Sequence, residues 1–324
     1  MPSLKEIKTR RASVQSTRKI TSAMKMVASS KLHHAQIAIQ NMLPYSELLE
    51  HILKEFLASE PNAQSKLDEE RPDVNRVALI VYSSNGPLCG AFNGNIIRQT
   101  KQIVDEYKAQ GISEITIYPI GRKIAEKVAK LGCKSAGNFM ELADKPNARE
   151  CSEIAKEVAK KYADHEYDRV ELVYHHFKSA GSQILTRKTL LPITLSVETI
   201  GEDNDRDLSS TLATAKAQEY LRKRGKESAG RKQGEAEPLN DNFIVEPDMS
   251  TVLKVLIPKM LNLMVYTALL DNVASEHAAR MVAMQTATDN ADELLRELSL
   301  QYNKSRQAAI TNELLDIVGG AVDN

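Results

Sequence analysis

Two stretches without Gly or Pro, one near each end of this 324-residue chain, constrain its fold more than any other feature. They run from Ser3 to Leu43 and from Lys259 to Val318. In both, apolar or small residues recur every seven positions, which is the spacing of helices that pair in a coiled coil. The second stretch would span roughly 90 Å as a helix, far more than the few turns of an ordinary globular helix. We therefore expect a long helix at each end.

The first helix has a marked start and a continuous seam. Ser3 and Glu6 form an S-x-x-E capping box, in which each side chain accepts from the other residue's backbone N–H group. Pro44 should kink the helix without ending it, because Leu48 and Leu49 resume the apolar pattern. The seam residues are Ile7, Val14, Thr21, Ala28, Ala35, Met42, Leu49 and Phe56.

The last helix repeats this design at greater length. Asp248 or Ser250 can cap its start, Pro258 should bend its first turns, and Gly319 with Gly320 predicts its end. One row of its seam is Leu253, Met260, Thr267, Ala274, Met281, Thr288, Leu295, Tyr302 and Ala309. The second row is Leu256, Leu263, Leu270, His277, Met284, Ala291 and Leu298. Rows three residues apart form one apolar seam.

Between these helices the periodicity changes to alternating strands and helices. The predicted strands are Val77–Tyr82, Glu114–Ile120 and Arg169–Tyr174, and Gln183–Val197 adds one or two more. The predicted helices are Asn95–Gln110, Lys123–Leu131 and Ala148–Tyr162. This alternation is typical of a small, open, mostly parallel sheet covered by helices. The fold class is therefore α/β: a long antiparallel coiled coil plus a Rossmann-like domain.

Four segments follow from these patterns. We expect an N-terminal coiled-coil helix over 1–58, an α/β middle domain over 74–200, a polar insertion over 201–245, and a C-terminal coiled-coil helix over 246–324 that pairs with the first. The insertion begins acidic and then turns basic around Arg222–Lys232. Such biased composition predicts a mobile segment with at most one short helix.

No nucleotide, metal or nucleophile motif is recognisable in the middle domain. Gly86, Gly90 and Gly94 follow the first strand, but their spacing matches neither phosphate-binding loop, so turn geometry and helix packing explain them better. His33/His34 and His175/His176 are adjacent pairs, which lack the i, i+4 spacing of helical metal ligands; surface or packing roles are expected. The sequence predicts no catalytic residue, cofactor or metal.

The composition indicates the cellular compartment and limits the classes of binding partner. The 43 basic and 43 acidic residues cancel, so net charge indicates neither a nucleic-acid nor a membrane partner. The cysteines, Cys89, Cys133 and Cys151, are odd in number and form no C-x-x-C pair, which favours a reducing compartment. Cys89 is expected to be a small buried residue. No apolar run approaches the roughly 20 residues of a membrane span, so we expect no spanning helix.

Charge is nevertheless uneven along the chain. Within the first 31 residues Glu6 is the only acid. The basic residues there are Lys5, Lys8, Arg10, Arg11, Arg18, Lys19, Lys25 and Lys31. This one-sided excess indicates an acidic macromolecular partner. Few aromatic residues accompany it, so base stacking on nucleic acid is not indicated.

These observations leave three function classes open. Two long helices that pair would form an asymmetric rod, which biases each member of a surrounding ring of subunits differently. An alternative is a coiled-coil structural protein with a globular hinge that binds nucleic acid, and DNA binding with a steep salt dependence would identify it. An enzyme with its site in the middle domain is a third class, which activity of the isolated chain would reveal.

The sequence resembles the gamma subunits of F-type ATP synthases over nearly its whole length. The opening block "KEIKTRRASVQSTRKITSAMKMVASSKL" and the late block "SEHAARMVAMQTATDNADELLRELSLQYNKSRQAAITNELLDIVGGA" carry the resemblance. The middle stretch "GPLCGAFN" resembles that family's Leu-Cys-Gly loop. The terminal signature is matched by Ile310, Thr311, Glu313, Asp316, Gly320 and Ala321.

This resemblance implies a non-catalytic rotor shaft that couples proton or other ion flow through a c-ring to ATP synthesis and hydrolysis. The implied partners are the alpha and beta subunits, the epsilon subunit and the c-ring, on the cytoplasmic face of a bacterial inner membrane, without insertion into it. Positions that match contacts with the alpha/beta hexamer are Met24, Arg280, Arg306, Gln307 and Thr311. Positions that match contacts with the c-ring or epsilon are Phe243 and Glu246.

Three features depart from the family pattern. The segment between Pro192 and Glu246 is longer than in most bacterial members and lies where chloroplast gamma subunits carry a redox insertion, but the cysteine pair of that insertion is absent. Control by thiols through this segment is therefore not expected. Asn85-Gly86-Pro87 replaces the more usual Asp-Arg-Gly, and Asp323 stands where a small or basic residue is usual.

Overall fold

A computed structural model of the chain describes residues 3–59, 67, 69, 71–193, 245–246 and 248–322. They divide into two compact units. We call Met1–Ser29 together with Arg280–Asn324 the helical unit, and Ser30–Ala279 the sheet unit. The insertion predicted at 201–245 lies outside the described residues, except for Val245.

Long helices stand at both ends of the chain. Helix α1 is Leu4–Ser59 (56 residues) and helix α6 is Met249–Val322 (74 residues). The capping box of α1 is confirmed, because the Ser3 N–H donates to Glu6 Oε2 at 2.9 Å and the Glu6 N–H donates to Ser3 Oγ at 3.3 Å. The helix also runs on through Pro44, as the resumed apolar pattern predicted.

Helix α6 starts as predicted but ends later. Asp248 caps it, since Oδ2 accepts from the Thr251 N–H at 3.1 Å and Oδ1 accepts from the Thr251 hydroxyl at 2.6 Å. The expected stop at Gly319 and Gly320 is wrong, because the helix continues to Val322. Glycine costs a helix roughly 1 kcal/mol per residue, which weakens it without forbidding helical backbone angles.

Among its described residues, the sheet unit holds five strands and four shorter helices. The strands are β1 Arg76–Tyr82, β2 Glu114–Ile120, β3 Lys134–Ser135, β4 Arg169–Ser179 and β5 Ser182–Leu191. The helices are α2 Phe92–Ala109, α3 Arg122–Val128, α4 Met140–Asp144 and α5 Ala148–Ala163, and a 3₁₀ turn at Ala129–Leu131 follows α3.

The strand order is β3-β2-β1-β4-β5. Strands β3, β2, β1 and β4 are parallel, and β5 is antiparallel to β4. Strand β1 is buried at every position from Val77 to Tyr82, which is typical of a parallel strand covered on both faces. The predicted small, open, mostly parallel sheet is therefore confirmed.

Apolar side chains cover both faces of the sheet. On one face, Ile96 and Ile103 of α2 belong to the core cluster that includes Leu79 and Ile117. On the other face, the Tyr82 hydroxyl donates to the Val265 carbonyl of α6 at 2.9 Å. Helices on the two faces thus exclude water from the central strands.

Two predicted elements needed correction, and two short elements were missed. Strand β4 was predicted to end at Tyr174 but reaches Ser179, because β5 pairs along its extension. The predicted helix Lys123–Leu131 divides into α3 and the 3₁₀ turn. Strand β3 and helix α4, only two and five residues long, were not predicted, since such short elements have too few residues to show a periodicity.

Two buried carboxylates connect β4 to its surroundings. Burial alone would raise the pKa of Asp168, but hydrogen bonds from the Arg76 side chain and the Asn75 N–H hold that pKa below its ordinary value. The Glu171 carboxylate accepts from the Tyr107 hydroxyl at 2.6 Å and from Arg187 Nε at 2.7 Å. Burial, with this hydrogen bond, raises the pKa of Tyr107 to about 12.

Helix α6 also changes the membrane expectation. Between Thr251 and Leu315 it contains an 18-residue window that is long and apolar enough, by composition alone, to cross a membrane. The expectation that no such run exists is therefore wrong. Of that window, 44% is buried inside the protein, and Val265 and Leu269 of the same helix are fully buried, so packing accounts for part of this apolar composition.

Candidate partner-binding surfaces

In the helical unit, α1 and α6 pair in antiparallel orientation. The Thr21 and Thr288 hydroxyls are 2.8 Å apart, and Arg18 Nε lies 2.5 Å from Asp292 Oδ1. Residues nearer the N-terminus of α1 therefore face residues nearer the C-terminus of α6. The predicted seam is confirmed by burial of Ile7 on α1 and Leu298 on α6.

This register leaves the end of α6 without a facing helix inside the unit. Helix α1 begins at Leu4, seventeen residues before Thr21, so its start lies opposite a position about seventeen residues beyond Thr288, near Ser305. Helix α6 continues to Val322. Its side chains from 310 to 315 are all exposed. From 310 to 315, α6 is thus a single helix with an exposed surface.

Large apolar side chains are exposed on the helical unit. Leu300 is 71% exposed and Met26 is 65% exposed. The other large exposed hydrophobic residues of this unit are Ile20, Val27, Val282, Leu294, Ile310, Leu314 and Leu315. Exposed apolar side chains mark a surface that a partner covers where they lie together, as Ile310 and Leu314 do at positions i and i+4 of α6.

Basic side chains accompany this apolar surface. Of the basic residues on the first 31 positions, all except the half-buried Lys25 are exposed. Arg18 also forms an ion pair with Asp292 of α6. The surface of the α1 segment therefore combines positive charge with exposed Ile20 and Met26, which suits an acidic protein surface that also presents apolar groups.

The structure places the predicted hexamer contacts in two groups. Met24 and Arg280 are half-buried, and the antiparallel register brings them to the same end of the helical unit. Arg306, Gln307 and Thr311 are exposed, and the Thr311 hydroxyl donates to the Gln307 carbonyl at 2.9 Å. Arg306 lies 26 residues beyond Arg280, which is about 39 Å along a helix. A partner that meets both groups must extend along the helices.

The predicted contacts with a ring or epsilon subunit fall before α6. Glu246 is exposed and lies three residues before the helix starts at Met249. Phe243 lies outside the described residues. Its role stays a prediction.

The carboxyl end of β1, where open α/β sheets bind nucleotides, is occupied by the chain itself. The Ser83 hydroxyl accepts from the Ile124 N–H at 3.0 Å, and Asn85 Oδ1 accepts from the Arg122 N–H at 2.8 Å. These bonds satisfy the first N–H groups of α3, which would otherwise attract an anion. The local hydrogen bonding gives no support to a nucleotide site.

The glycine loop and its cysteine follow the expected pattern in part. Cys89 is buried, and Asn93 Nδ2 donates to its Sγ at 3.0 Å. Gly90 has φ +59°, which serves the turn as expected. Gly94 has open space where a Cβ would lie, so the expected helix-packing reason does not hold there. Among the described residues, no group of three or more His, Cys, Asp or Glu side chains is placed to hold a metal ion.

The two histidine pairs have different environments. His33 and His34 are exposed, whereas His175 and His176 are buried. The His175 ring stacks on Phe92 with centroids 4.2 Å apart, and burial lowers its pKa to about 4. The expected surface or packing roles are confirmed: surface for the first pair and packing for the second.

Sequence reasoning missed a row of buried polar side chains on α6. Asp271, Asn272, Ser275 and Glu276 are all at most 5% exposed. They interrupt an otherwise apolar stretch, "LLDNVASEHAA". That interruption is the sequence signal, because polar groups inside an apolar helix face need buried partners.

Known proteins are similar to this chain over nearly its whole length. A family model described as ATP synthase matches residues 3–322. The chain is 48% identical over 322 residues to the ATP synthase gamma chain of Phocaeicola vulgatus, covering 99% of this chain and 100% of the relative. It is 35% identical to the ATP synthase gamma chain of Fusobacterium nucleatum, covering 99% of each.

Solved structures share the fold at low sequence identity. A chain in the central stalk and c-ring structure of the Tetrahymena thermophila mitochondrial ATP synthase has a TM-score of 0.54 and 23% identity, covering 83% of this chain and 99% of that one. A chain in the Euglena gracilis mitochondrial ATP synthase in rotational state 3 has a TM-score of 0.57 and 20% identity, covering 98% and 93%. By its family model and its relatives, this chain belongs to the family of ATP synthase gamma chains, the non-catalytic central-stalk subunits of F-type ATP synthases.

Proposed function

We propose that this chain is the rotor shaft that couples transmembrane ion flow through a c-ring to ATP synthesis and hydrolysis in an alpha/beta hexamer. The observation that carries the proposal is the uncovered end of α6 beyond Ser305, with Ile310, Leu314 and Leu315 each at least 47% exposed. A single apolar helix of this kind requires a surrounding partner. The bore of a ring of subunits is such a partner.

The paired helices would act by making unequal contacts. A rod made of two different helices has no rotational symmetry, so it contacts each subunit of a surrounding ring differently. Each contact shifts that subunit's conformational equilibrium by its own differential free energy. Rotation of the rod moves these shifts from one subunit to the next, and the same linkage lets ATP hydrolysis drive the rod in reverse.

The proposed contacts divide by region. Met24, with the basic α1 face, and Arg280 meet the beta subunits at one end of the helical unit. Arg306, Gln307 and Thr311 meet the hexamer further along α6. Phe243 and Glu246, before α6, meet the c-ring or the epsilon subunit. In this arrangement the chain is peripheral to the cytoplasmic face of a bacterial inner membrane.

Removal of the last turns of α6 tests this proposal. A chain that ends after Ala309 keeps the seam residues through Leu298, so the paired part and the sheet should fold unchanged. We expect ion-driven ATP synthesis in the assembled complex to fall, because the contacts from Ile310 onward are lost. The control is far-UV circular dichroism of the truncated chain. Unchanged ATP synthesis by a complex that contains the truncated chain would refute the proposal.

The nucleic-acid alternative is less well supported. The exposed apolar side chains Ile20, Met26 and Val27 lie among the basic residues of α1, and phosphate binding, which rests on positive charge, does not account for their exposure. Titration of the full chain with duplex DNA at two salt concentrations checks this directly. We expect no saturable binding near physiological salt.

A further inference from the structure

Strand β4 extends beyond the neighbour that covers one of its edges. Its parallel pairing with β1 ends at Val81 opposite Val173, whereas β4 itself runs to Ser179. On the other edge β5 continues, with His175 opposite Leu185. Buried backbone N–H and C=O groups on the first edge therefore need other partners.

Side chains of α6 supply those partners. Asn272 Oδ1 accepts from the His175 N–H at 3.4 Å, and the Ser275 hydroxyl donates to the His175 carbonyl at 3.0 Å. The helix thus takes the place that a continued β1 would occupy.

Two more polar contacts extend this row. Asp271 Oδ2 lies 2.9 Å from His176 Nδ1, and the Tyr82 hydroxyl at the end of β1 donates to the Val265 carbonyl. The two side chains of the first pair are only 1% and 7% exposed. We call these four contacts the polar joint; all of them lie within the sheet unit.

The joint fixes α6 in a way that apolar packing does not. Asp271, Asn272 and Ser275 occupy positions i, i+1 and i+4, so they project within an arc of roughly 100° on the helix. Hydrogen bonds weaken steeply when their angles change, whereas burial of apolar surface has no preferred direction. The polar joint therefore sets both the rotation of α6 about its own axis and its height on β4.

These groups also stabilise the fold. Asn272 and Ser275 satisfy the buried N–H and carbonyl of His175, which leucine could not do. Burial of the Asp271 side chain likewise costs free energy unless its hydrogen bond is made. Beyond this stabilisation, the directional bonds add a restraint on the rotation of the helix that apolar burial does not add.

We propose that the polar joint is the torque-bearing connection between the sheet and α6, and that Asp271, Asn272 and Ser275 are positioning residues for rotation. This inference rests on the rotor function proposed above. Torque applied to the sheet would turn α6 without slip, because twisting the helix would break several buried hydrogen bonds at once. Apolar contacts would let the helix roll on the sheet.

Torsional fluctuation of the complex tests the proposal. The hexamer is fixed to a surface and stalled without nucleotide turnover, and a probe is attached to the sheet unit through Ser113→Cys, an exposed position. The test variant is Asp271→Leu with Asn272→Leu, since leucine has the branched shape of these side chains without their hydrogen bonds. We expect the angular variance of the probe to rise by roughly twofold or more, because the directional bonds that restrain the helix are lost.

Three further variants distinguish the loss of directional hydrogen bonds from a general loss of folding stability. Leu269→Ala removes a fully buried apolar contact of the same helix, and we expect it to lower stability without widening the angular distribution. Asp271→Asn keeps the shape and one hydrogen bond, so it should restore most of the stiffness. Ser275→Ala, a milder change, gives the test if the double variant fails to assemble, and a smaller rise in variance is expected from it.

Two results would overturn the proposal. One is an unchanged angular variance in the Asp271→Leu/Asn272→Leu chain and in Ser275→Ala; the other is an equal widening in Leu269→Ala. A failure of the rotor function itself is distinguishable, because the unmodified chain would then show no ATP-driven rotation in the same apparatus.

Discussion

The two units of this chain bury their apolar residues to different degrees. In the sheet unit, β1 is buried along six consecutive residues and Ile117 of β2 is fully buried. In the helical unit, small residues such as Ala28 and Ala291 fill much of the seam, while Leu300 and Met26 are exposed. The sheet unit thus has a core of consecutive, fully buried strand residues. The helical unit leaves apolar surface available to a partner, and packing of an apolar face supplies most of the stability of helices in proteins.

The largest expected effect contrasts the two cores. Ile117→Ala should lower the free energy of unfolding by about 2–5 kcal/mol, because it leaves a cavity in a close-packed sheet core. Leu298→Ala, in the helical seam, should cost less than half as much, since only one facing helix loses contacts. Urea denaturation of the full chain, followed by far-UV circular dichroism, measures both. Equal losses of unfolding free energy in the two variants would contradict the difference between the two units.

A matched glycine pair probes the backbone of the sheet unit. Gly121 has φ +100°, and a Cβ there would lie 2.3 Å from the Ser83 carbonyl oxygen. Gly121→Ala should therefore destabilise the chain by at least about 1–3 kcal/mol. In Gly94→Ala the new Cβ meets open space within α2, so the same change should stabilise by roughly 0.4–1 kcal/mol. Thermal denaturation compares them; destabilisation by both changes would contradict this reading.

Acid should weaken the sheet unit through His175. Burial lowers its folded-state pKa to about 4 from an ordinary value of 6.5. The unfolded chain therefore binds more protons between these values, so this contribution to stability is complete above pH 6.5 and is lost as the pH falls toward 4. We expect a loss of about 2 kcal/mol, scaled down from the full shift because part of the group is solvated.

The variant His175→Phe is the control for this effect, because it keeps the aromatic contact with Phe92 but cannot titrate. Its stability, measured by urea titration at pH 7 and pH 4.5, should fall less on acidification than that of the unmodified chain. Equal losses in the two chains would show that other groups dominate the acid response.

The sequence predicted the two long helices and the sheet, but it did not predict the buried polar contacts between them. Seven-residue repeats predicted the paired helices, and the buried strand from Val77 to Tyr82 predicted the centre of the sheet. The extension of β4 to Ser179 depends on its pairing with β5, and the partners of Asp271 and Asn272 depend on contacts between residues about a hundred positions apart. Local periodicity carries no information about such pairs, since tertiary packing decides them.

For the proposed contact residues, too, the sequence predicted one part and the structure supplied the other. Exposure of Arg306, Gln307 and Thr311 at the end of α6 is what a contact role requires. Their separation from Met24 and Arg280 follows from helix length, which the sequence already indicated. The alignment of the antiparallel helices, which places Met24 and Arg280 at the same end of the helical unit, could not be predicted from the sequence, because the seven-residue repeat permits several alignments.

A smaller effect is expected from the hydroxyl pair in the helical unit. Thr21→Val and Thr288→Val each remove the hydrogen bond between α1 and α6, while the branched shape is kept. Each should cost about 1 kcal/mol. Because the two hydroxyls bond each other, the double variant should cost less than the sum of the single variants. Additive losses in urea titrations of the four chains would exclude this coupling.

The smallest effect is expected from the ion pair beside it. The side chains of Arg18 and Asp292 are 45% and 39% exposed, so solvent and salt screen their attraction. Asp292→Asn should change stability by less than about 1 kcal/mol, and the change should shrink further in 1 M salt. Urea titrations at low and high salt check this. A large, salt-independent loss would show that the pair is more protected than its exposure indicates.

Rotation of the assembled complex tests the central claim most directly. With the alpha/beta hexamer fixed to a surface and a probe on Ser113→Cys of the sheet unit, ATP addition should produce continuous rotation of the probe in one direction. ATP hydrolysis by the same complexes with the probe stationary would contradict the assignment of this chain as the rotor shaft.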